Sequence, residues 1–186
     1  DGDDYIVLNT AQDHKRAFDG DEGPNTGGMG AYSPTPLSTD DMLIKTKLKV
    51  IEPILKAMKD AGNPFVGFLY VGLMIVDNEP YVIEFNVRMG DPETQVVLPL
   101  LESSLCELLW NATNGKINNS KVIISPKTAV TVVLAAKGYP GSYSKGMNVT
   151  GIVSDSLIFH AGTKKKDGKI ITSGGRVLNV VGLGDD

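Results

Sequence analysis

Cysteine is nearly absent. Cys106 is the only one in 186 residues, so no disulfide can form within the chain. It sits in the apolar run Leu105-Cys106-Glu107-Leu108-Leu109, where a buried, inert thiol is expected. Histidine is scarce as well. His14 and His160 stand far apart in sequence, and nothing supports a metal pair or a nucleophilic triad. No apolar run reaches the roughly 20 residues of a membrane-spanning helix, and no segment resembles a secretion signal. No basic arm or stripe is present, and the net charge is −4, which argues against nucleic acid as a partner. The one lysine run, Lys164-Lys165-Lys166 before Asp167-Gly168, is expected to be a solvated turn tip. Asn111, Asn118 and Asn148 open glycosylation-type triplets. Without a secretion signal these are chance matches, and the expected compartment is the cytoplasm.

What is present is ordinary for a globular protein: 41% hydrophobic and 22% charged residues. The pattern reads as α+β. Residues 11–38 are polar and rich in Gly and Pro, and a long functional loop is expected there. Ser38-Thr39-Asp40-Asp41 starts a helix whose apolar positions run from Ile44 to Met58, with Pro53 placed to kink or split it. Phe65–Val76 and Tyr81–Arg88 form a hairpin about the turn Asp77-Asn78-Glu79-Pro80. Gln95–Asn114 has helical character. Beyond residue 120 come short strands between glycine-rich turns, at 129–136, 148–153, 156–160, 169–172 and 176–181. Two domains are expected, 1–120 and 121–186, the second small and mainly β.

Strand side chains alternate between faces. Tyr81, Ile83, Phe85 and Val87 therefore share one face, expected in the core. Val82, Glu84, Asn86 and Arg88 share the other. Oxygen donors such as Glu84 and Asn86 suit a hard cation that completes its shell with phosphate oxygens and water. Arg88, one step along, can grip phosphate in a bidentate fork. Alternation by itself also describes any half-exposed strand with a solvated polar face. The order Glu-Asn-Arg, followed by the acidic turn Gly90-Asp91-Pro92-Glu93, favours the cation site.

Gly23-Pro24-Asn25-Thr26-Gly27-Gly28-Met29-Gly30 holds three glycines in its last four residues. Such a loop allows close backbone approach to a ligand and can form an anion nest. It lacks the lysine and hydroxyl of a Walker A loop, and no strand leads directly into it. An ordinary flexible turn fits the spacing equally well. Upstream, Lys15 and Arg16 suit an anionic ligand, or a plain surface charge cluster.

Taken together, these segments resemble the glycinamide ribonucleotide synthetase family of ATP-grasp ligases. The resemblance is carried by Gln12-Asp13-His14-Lys15-Arg16, the glycine loop through Tyr32, Gly67 to Met74, and Ile83 to Glu93. Lys137 to Gly141, Phe159 to Thr163 and Gly174 to Leu178 extend it to the β-rich half. It implies an ATP-grasp C-terminal lobe, an antiparallel sheet with helices, followed by a small β domain. It implies Mg2+ or Mn2+ on Glu84 and Asn86, and ATP, glycine and phosphoribosylamine as small-molecule partners. Arg88 and Asp91 are the candidate catalytic residues. Asp13, Lys15, Arg16, Asn25, Gly27, Gly28 and Glu93 are the candidate phosphate and substrate contacts. Val87 and Met89 stand where the family pattern has cysteine and phenylalanine, apolar exchanges beside the ligands. The strand Leu73-Met74-Ile75 offers no further metal acid. Against the family pattern the chain is expected to be a C-terminal fragment of its parent, which could be fused to other purine-pathway domains. A sister carboxylate–amine ligase, or a fragment that only binds phosphate or magnesium, are the alternatives.

Overall fold

The computed structural model describes residues 1–151 and 156–185. In chain order the strands are β1 (Gln12–Asp13), β2 (Arg16–Phe18), β3 (Glu22–Asn25), β4 (Gly30–Ser33), β5 (Tyr70–Val76), β6 (Glu79–Asn86), β7 (Thr128–Ala135), β8 (Leu157–His160), β9 (Thr163–Lys166), β10 (Lys169–Thr172) and β11 (Arg176–Gly184). The helices are α1 (Asp40–Thr46), α2 (Glu52–Asp60), α3 (Thr94–Val97) and α4 (Leu105–Thr113). The architecture is α+β, with antiparallel pairing throughout and few helices. Among the described residues no helix is long and apolar enough to cross a membrane.

The chain packs as two compact units. The first joins residues 1–10, 34–90 and 101–125. Thr39 caps α1 by accepting from the Met42 N–H, with Asp40 and Asp41 in the first turn. A π-helical turn, Lys47–Ile51, then carries the chain into α2. Pro53 sits in the first turn of α2, where its missing N–H costs little, so the widened turn ahead of it absorbs the proline and the helix continues. Strands β5 and β6 pair as a hairpin across Asp77-Asn78, both at positive φ, as a tight twisted turn requires. Lys45 bridges Asp41 and Glu79 and donates to the Asn78 carbonyl, and Lys49 also pairs with Glu79, so the helical segment holds the hairpin turn.

Three expectations fail in this unit. The first hairpin strand starts at Tyr70 rather than Phe65, and the second runs Glu79–Asn86 rather than Tyr81–Arg88. The supposed core face of β6 is open: Ile83 is 61% and Val87 76% exposed. The hairpin is a two-stranded sheet, and nothing among the described residues buries that face. Cys106 is exposed too, because the side of α4 that packs inward is marked by Leu108, two residues round the helix.

The second unit joins residues 11–33, 91–100 and 126–186. Its centre is a five-stranded sheet ordered β1-β4-β7-β11-β8. Alternation along β7 sends Ala129, Thr131 and Val133 to one buried face and Val130, Val132 and Leu134 to the exposed one. Val96 and Leu100, both 0% exposed, come from α3 and the 3-10 turn after it, Leu98–Leu100. With Ala31, Val133 and Val181 they belong to the buried apolar set of this unit.

Here too the structure corrects the sequence reading. Residues 11–38 are not a structureless loop, since β1 to β4 lie within them and β1 and β4 join the main sheet. Lys164 to Lys166 form β9, paired with β10, and the turn tip is Asp167-Gly168. In the expected strand 148–153, Asn148 makes an isolated bridge to Ile171, and Ile152 and Val153 lie outside the described residues. The expected division of 1–120 from 121–186 follows the sequence. In space, residues 11–33 and 91–100 pack with 126–186, and one crossing lies between Ser125 and Pro126.

Candidate functional site

The hairpin of the first unit presents the cation candidates. Glu84 and Asn86 are two apart on β6 and so share a face, opposite Gly72 and Tyr70 of β5. Glu84 lies over Gly72, where a Cβ would stand 3.1 Å from the Glu84 Cγ, so the glycine leaves room for the acid. The carboxylate is exposed and makes no hydrogen bond or ion pair with a described residue. Arg88 is exposed and donates to the Met89 carbonyl at 3.0 Å. No group of three or more His, Cys, Asp or Glu that could hold a metal occurs among the described residues. One carboxylate and one amide with open space above fit a hard cation that arrives with substrate phosphates. They do not fit a resident structural metal, which would need a fuller protein shell.

The second unit gathers most of the other candidates. Asp13, Gly27, Gly28, Asp91 and Glu93 come together, whereas Glu84, Asn86 and Arg88 belong to the hairpin unit. Asp13 is half-buried and shares a hydrogen bond with Glu93, itself only 7% exposed. Burial, then the Glu93 carboxylate and that hydrogen bond, push Asp13 up to about 6; Lys15 and His14 pull the other way. A carboxylate so close adds to the cost of ionising Asp13.

The glycine loop is bonded internally. The Thr26 N–H and hydroxyl both donate to the Lys15 carbonyl, the Gly28 N–H donates to the Thr26 hydroxyl, and the Met29 N–H donates to the His14 carbonyl. The Gly27 N–H reaches the Tyr139 hydroxyl at 3.2 Å. A nest needs successive N–H groups free to face an anion. Here they are engaged, so the loop does not form one in this conformation. Its glycines answer to packing. Gly28 has φ +111°, and a Cβ there would overlap Pro92. At Gly30 a Cβ would stand 2.7 Å from the Thr131 carbonyl, the close pairing of β4 with β7. Lys15 and Asn25 are exposed, and Arg16 turns back to donate to the Gly23 carbonyl at 2.6 Å.

Sequence reasoning missed Arg176. From the start of β11 its Nη1 donates to the carbonyls of Gly27 at 2.7 Å and Asp91 at 2.8 Å, and more weakly to Gly28 at 3.4 Å. Its Nη2 pairs with the Asp91 carboxylate at 3.1 Å. Gln95 donates to the other Asp91 oxygen at 2.9 Å. Asp91 is thus held at both oxygens. A lone arginine opening a strand after two glycines carries no local signal. Only the fold shows what it reaches.

Residues 1–94 match the model of the phosphoribosylglycinamide synthetase ATP-grasp (A) domain, and residues 129–186 that of the C domain of the same enzyme. Over its whole length the chain is 51% identical to a phosphoribosylamine–glycine ligase of Leptospira interrogans, covering 45% of that protein. It is 49% identical, again over 100% of its own length, to 19% of a trifunctional purine biosynthetic protein adenosine-3 of Gallus gallus. The crystal structure of a phosphoribosylamine–glycine ligase from Thermotoga maritima superposes with a TM-score of 0.90 at 40% identity, over 99% of this chain and 46% of that one. The chain therefore spans about half the length of the single-enzyme relatives it matches.

Proposed function

Because the chain belongs to the phosphoribosylglycinamide synthetase family, we propose that it is the ATP- and metal-binding part of an ATP-grasp ligase. That enzyme would join glycine to 5-phosphoribosylamine in the cytoplasm, giving glycinamide ribonucleotide, ADP and phosphate. The observation that carries the reading is the 51% identity along the whole chain to a ligase of that name. The open acid–amide face of β6 supplies the chemistry such a reaction needs.

In this reaction the glycine carboxylate attacks the γ-phosphorus of ATP, giving glycyl phosphate and ADP. The amine of phosphoribosylamine then attacks the acyl carbon, phosphate leaves, and the nitrogen loses a proton. Both steps depend on positioning and on neutralising phosphate charge, which agrees with a site rich in polar donors and lacking an obvious nucleophile. Glu84 and Asn86 would hold Mg2+ or Mn2+, which supplies charge neutralisation at the phosphates. Arg88 would grip phosphate oxygens. Asp13, Lys15, Arg16, Asn25, Gly27, Gly28 and Glu93 would contact phosphate or substrate. Asp91, held at both oxygens, is suited to fixing geometry rather than exchanging a proton. Relatives named as trifunctional make fusion to further purine-pathway domains a natural arrangement for the parent.

The test uses a protein extended to the length of its single-enzyme relatives, with ATP, magnesium, glycine and freshly made phosphoribosylamine. ADP release should require both glycine and phosphoribosylamine. Release that needs a different amine would replace this reading with a sister ligase. The 186-residue chain alone should give none, because ATP-grasp chemistry closes two lobes on the nucleotide. A misplacement of about 1 Å already costs on the order of a hundredfold.

A further inference from the structure

We propose that Arg176 is a positioning residue, whose guanidinium locks the Gly27-Gly28 loop to the Asp91 turn and thereby sets substrate affinity. The inference rests on the proposed ligase reading only for what the loop contacts. The lock itself stands on geometry.

Three segments far apart in sequence meet at one planar group. Nη1 serves the Gly27 carbonyl, the Asp91 carbonyl and, at longer range, the Gly28 carbonyl, while Nη2 takes the Asp91 carboxylate. The Arg176 side chain is 21% exposed and Asp91 48%, so the ion pair is partly shielded from water and screened less than an open surface pair. Gly27 accommodates it by having no side chain: a Cβ there would stand 3.0 Å from the guanidinium carbon. Lysine cannot reproduce this arrangement. Its ammonium is a compact point charge, whereas the guanidinium presents several donors in a fixed plane. The carbonyl side of the loop is thus held by a strand of the C domain, and the N–H side by Tyr139 and Thr26.

The closing experiment has two arms. The first measures amide hydrogen exchange on this 186-residue chain, wild type against R176K and R176Q. Amides of residues 26–29 and 91 should exchange faster by roughly tenfold or more in R176Q. R176K should fall between, and the β7 amides should not change. The second arm measures steady-state kinetics in the protein of full relative length. KM for glycine or phosphoribosylamine should rise on the order of ten- to a hundredfold in R176Q, with partial rescue by R176K. A purely structural defect would lower the active fraction and leave KM unchanged. If R176Q does not fold, Gly27→Ala crowds the same guanidinium and should show the same signs. Unchanged loop exchange overturns the lock whatever the kinetics. Faster exchange with unchanged KM overturns the positioning role. If the wild-type long protein makes no glycinamide ribonucleotide, the ligase reading falls, and the exchange arm still decides the lock.

Discussion

The two compact units treat their candidate site residues in opposite ways. In the hairpin unit Glu84 stands exposed over Gly72 with no partner among the described residues, and apolar side chains such as Ile83 and Val87 are open to solvent. In the sheet unit nearly every candidate residue is already engaged by another: Asp13 with Glu93, Asp91 with Arg176 and Gln95, the loop amides with Thr26, Tyr139 and backbone carbonyls. Unpartnered oxygen ligands are what a cation needs, and interlocked groups are what a support needs. On the proposed function, the sheet unit is a preformed frame for the glycine loop, and the hairpin is the part that would take the cation.

This contrast breaks most sharply at the glycines. Gly28→Val forces a side chain into Pro92 at positive φ and should cost about 4 kcal/mol in urea unfolding. Gly62→Ala in the hairpin unit, with φ +77° and nothing within 4 Å, should cost about 1 kcal/mol. Equal losses would mean that packing does not fix the loop.

Core truncation comes next. Leu100→Ala in the sheet unit should cost about 3 kcal/mol, because the side chain is fully buried. Ile83→Ala, on the open hairpin face, should change stability by less than about 0.5 kcal/mol. Ile83→Ala should also reduce self-association of the chain in sedimentation runs, since open apolar patches drive association. A Leu100→Ala variant as stable as wild type would show that the turn after α3 does not hold the sheet.

The carboxyl pair gives a smaller, pH-dependent effect. Asp13 titrates higher in the fold than its ordinary value of 3.8, at about 6, so the fold favours its neutral form. Its contribution to stability is complete below that ordinary value and is lost as pH rises through about 6. Asp13→Asn should match wild type in acid and be more stable at pH 8. Discounted for partial exposure, the gain is about 1 kcal/mol, or about 2–4 °C in Tm. Thermal melts across that range check it, and a gain confined to low pH would contradict the pairing with Glu93. Smallest of all, Lys45→Ala removes exposed ion pairs at the hairpin turn and should leave the unfolding midpoint within error.

The sequence shows what periodicity and turn chemistry write locally. The capped helix after Thr39, a turn opening at Asp77 and the placing of Glu84 and Asn86 on one face follow from spacing and residue type. It misleads where burial is decided by partners far along the chain. Ile83 and Phe85 alternate like a core strand, yet no described element covers them. Residues 11–38 hide four strands because ladders of two to four residues are too short to show a period. Arg176 lies 149 residues from the Gly27 carbonyl it binds, and no motif announces a contact of that span.

The most direct test of the contrast is Glu84→Gln in the protein of full relative length, with ADP release and thermal unfolding measured on the same samples. An unpartnered carboxylate that serves a cation should, when neutralised, lose on the order of a hundredfold or more in turnover while Tm stays within error of wild type. Wild-type turnover in Glu84→Gln, or a lowered Tm that accounts for the lost rate, would contradict the assignment of the hairpin as the part that takes the cation.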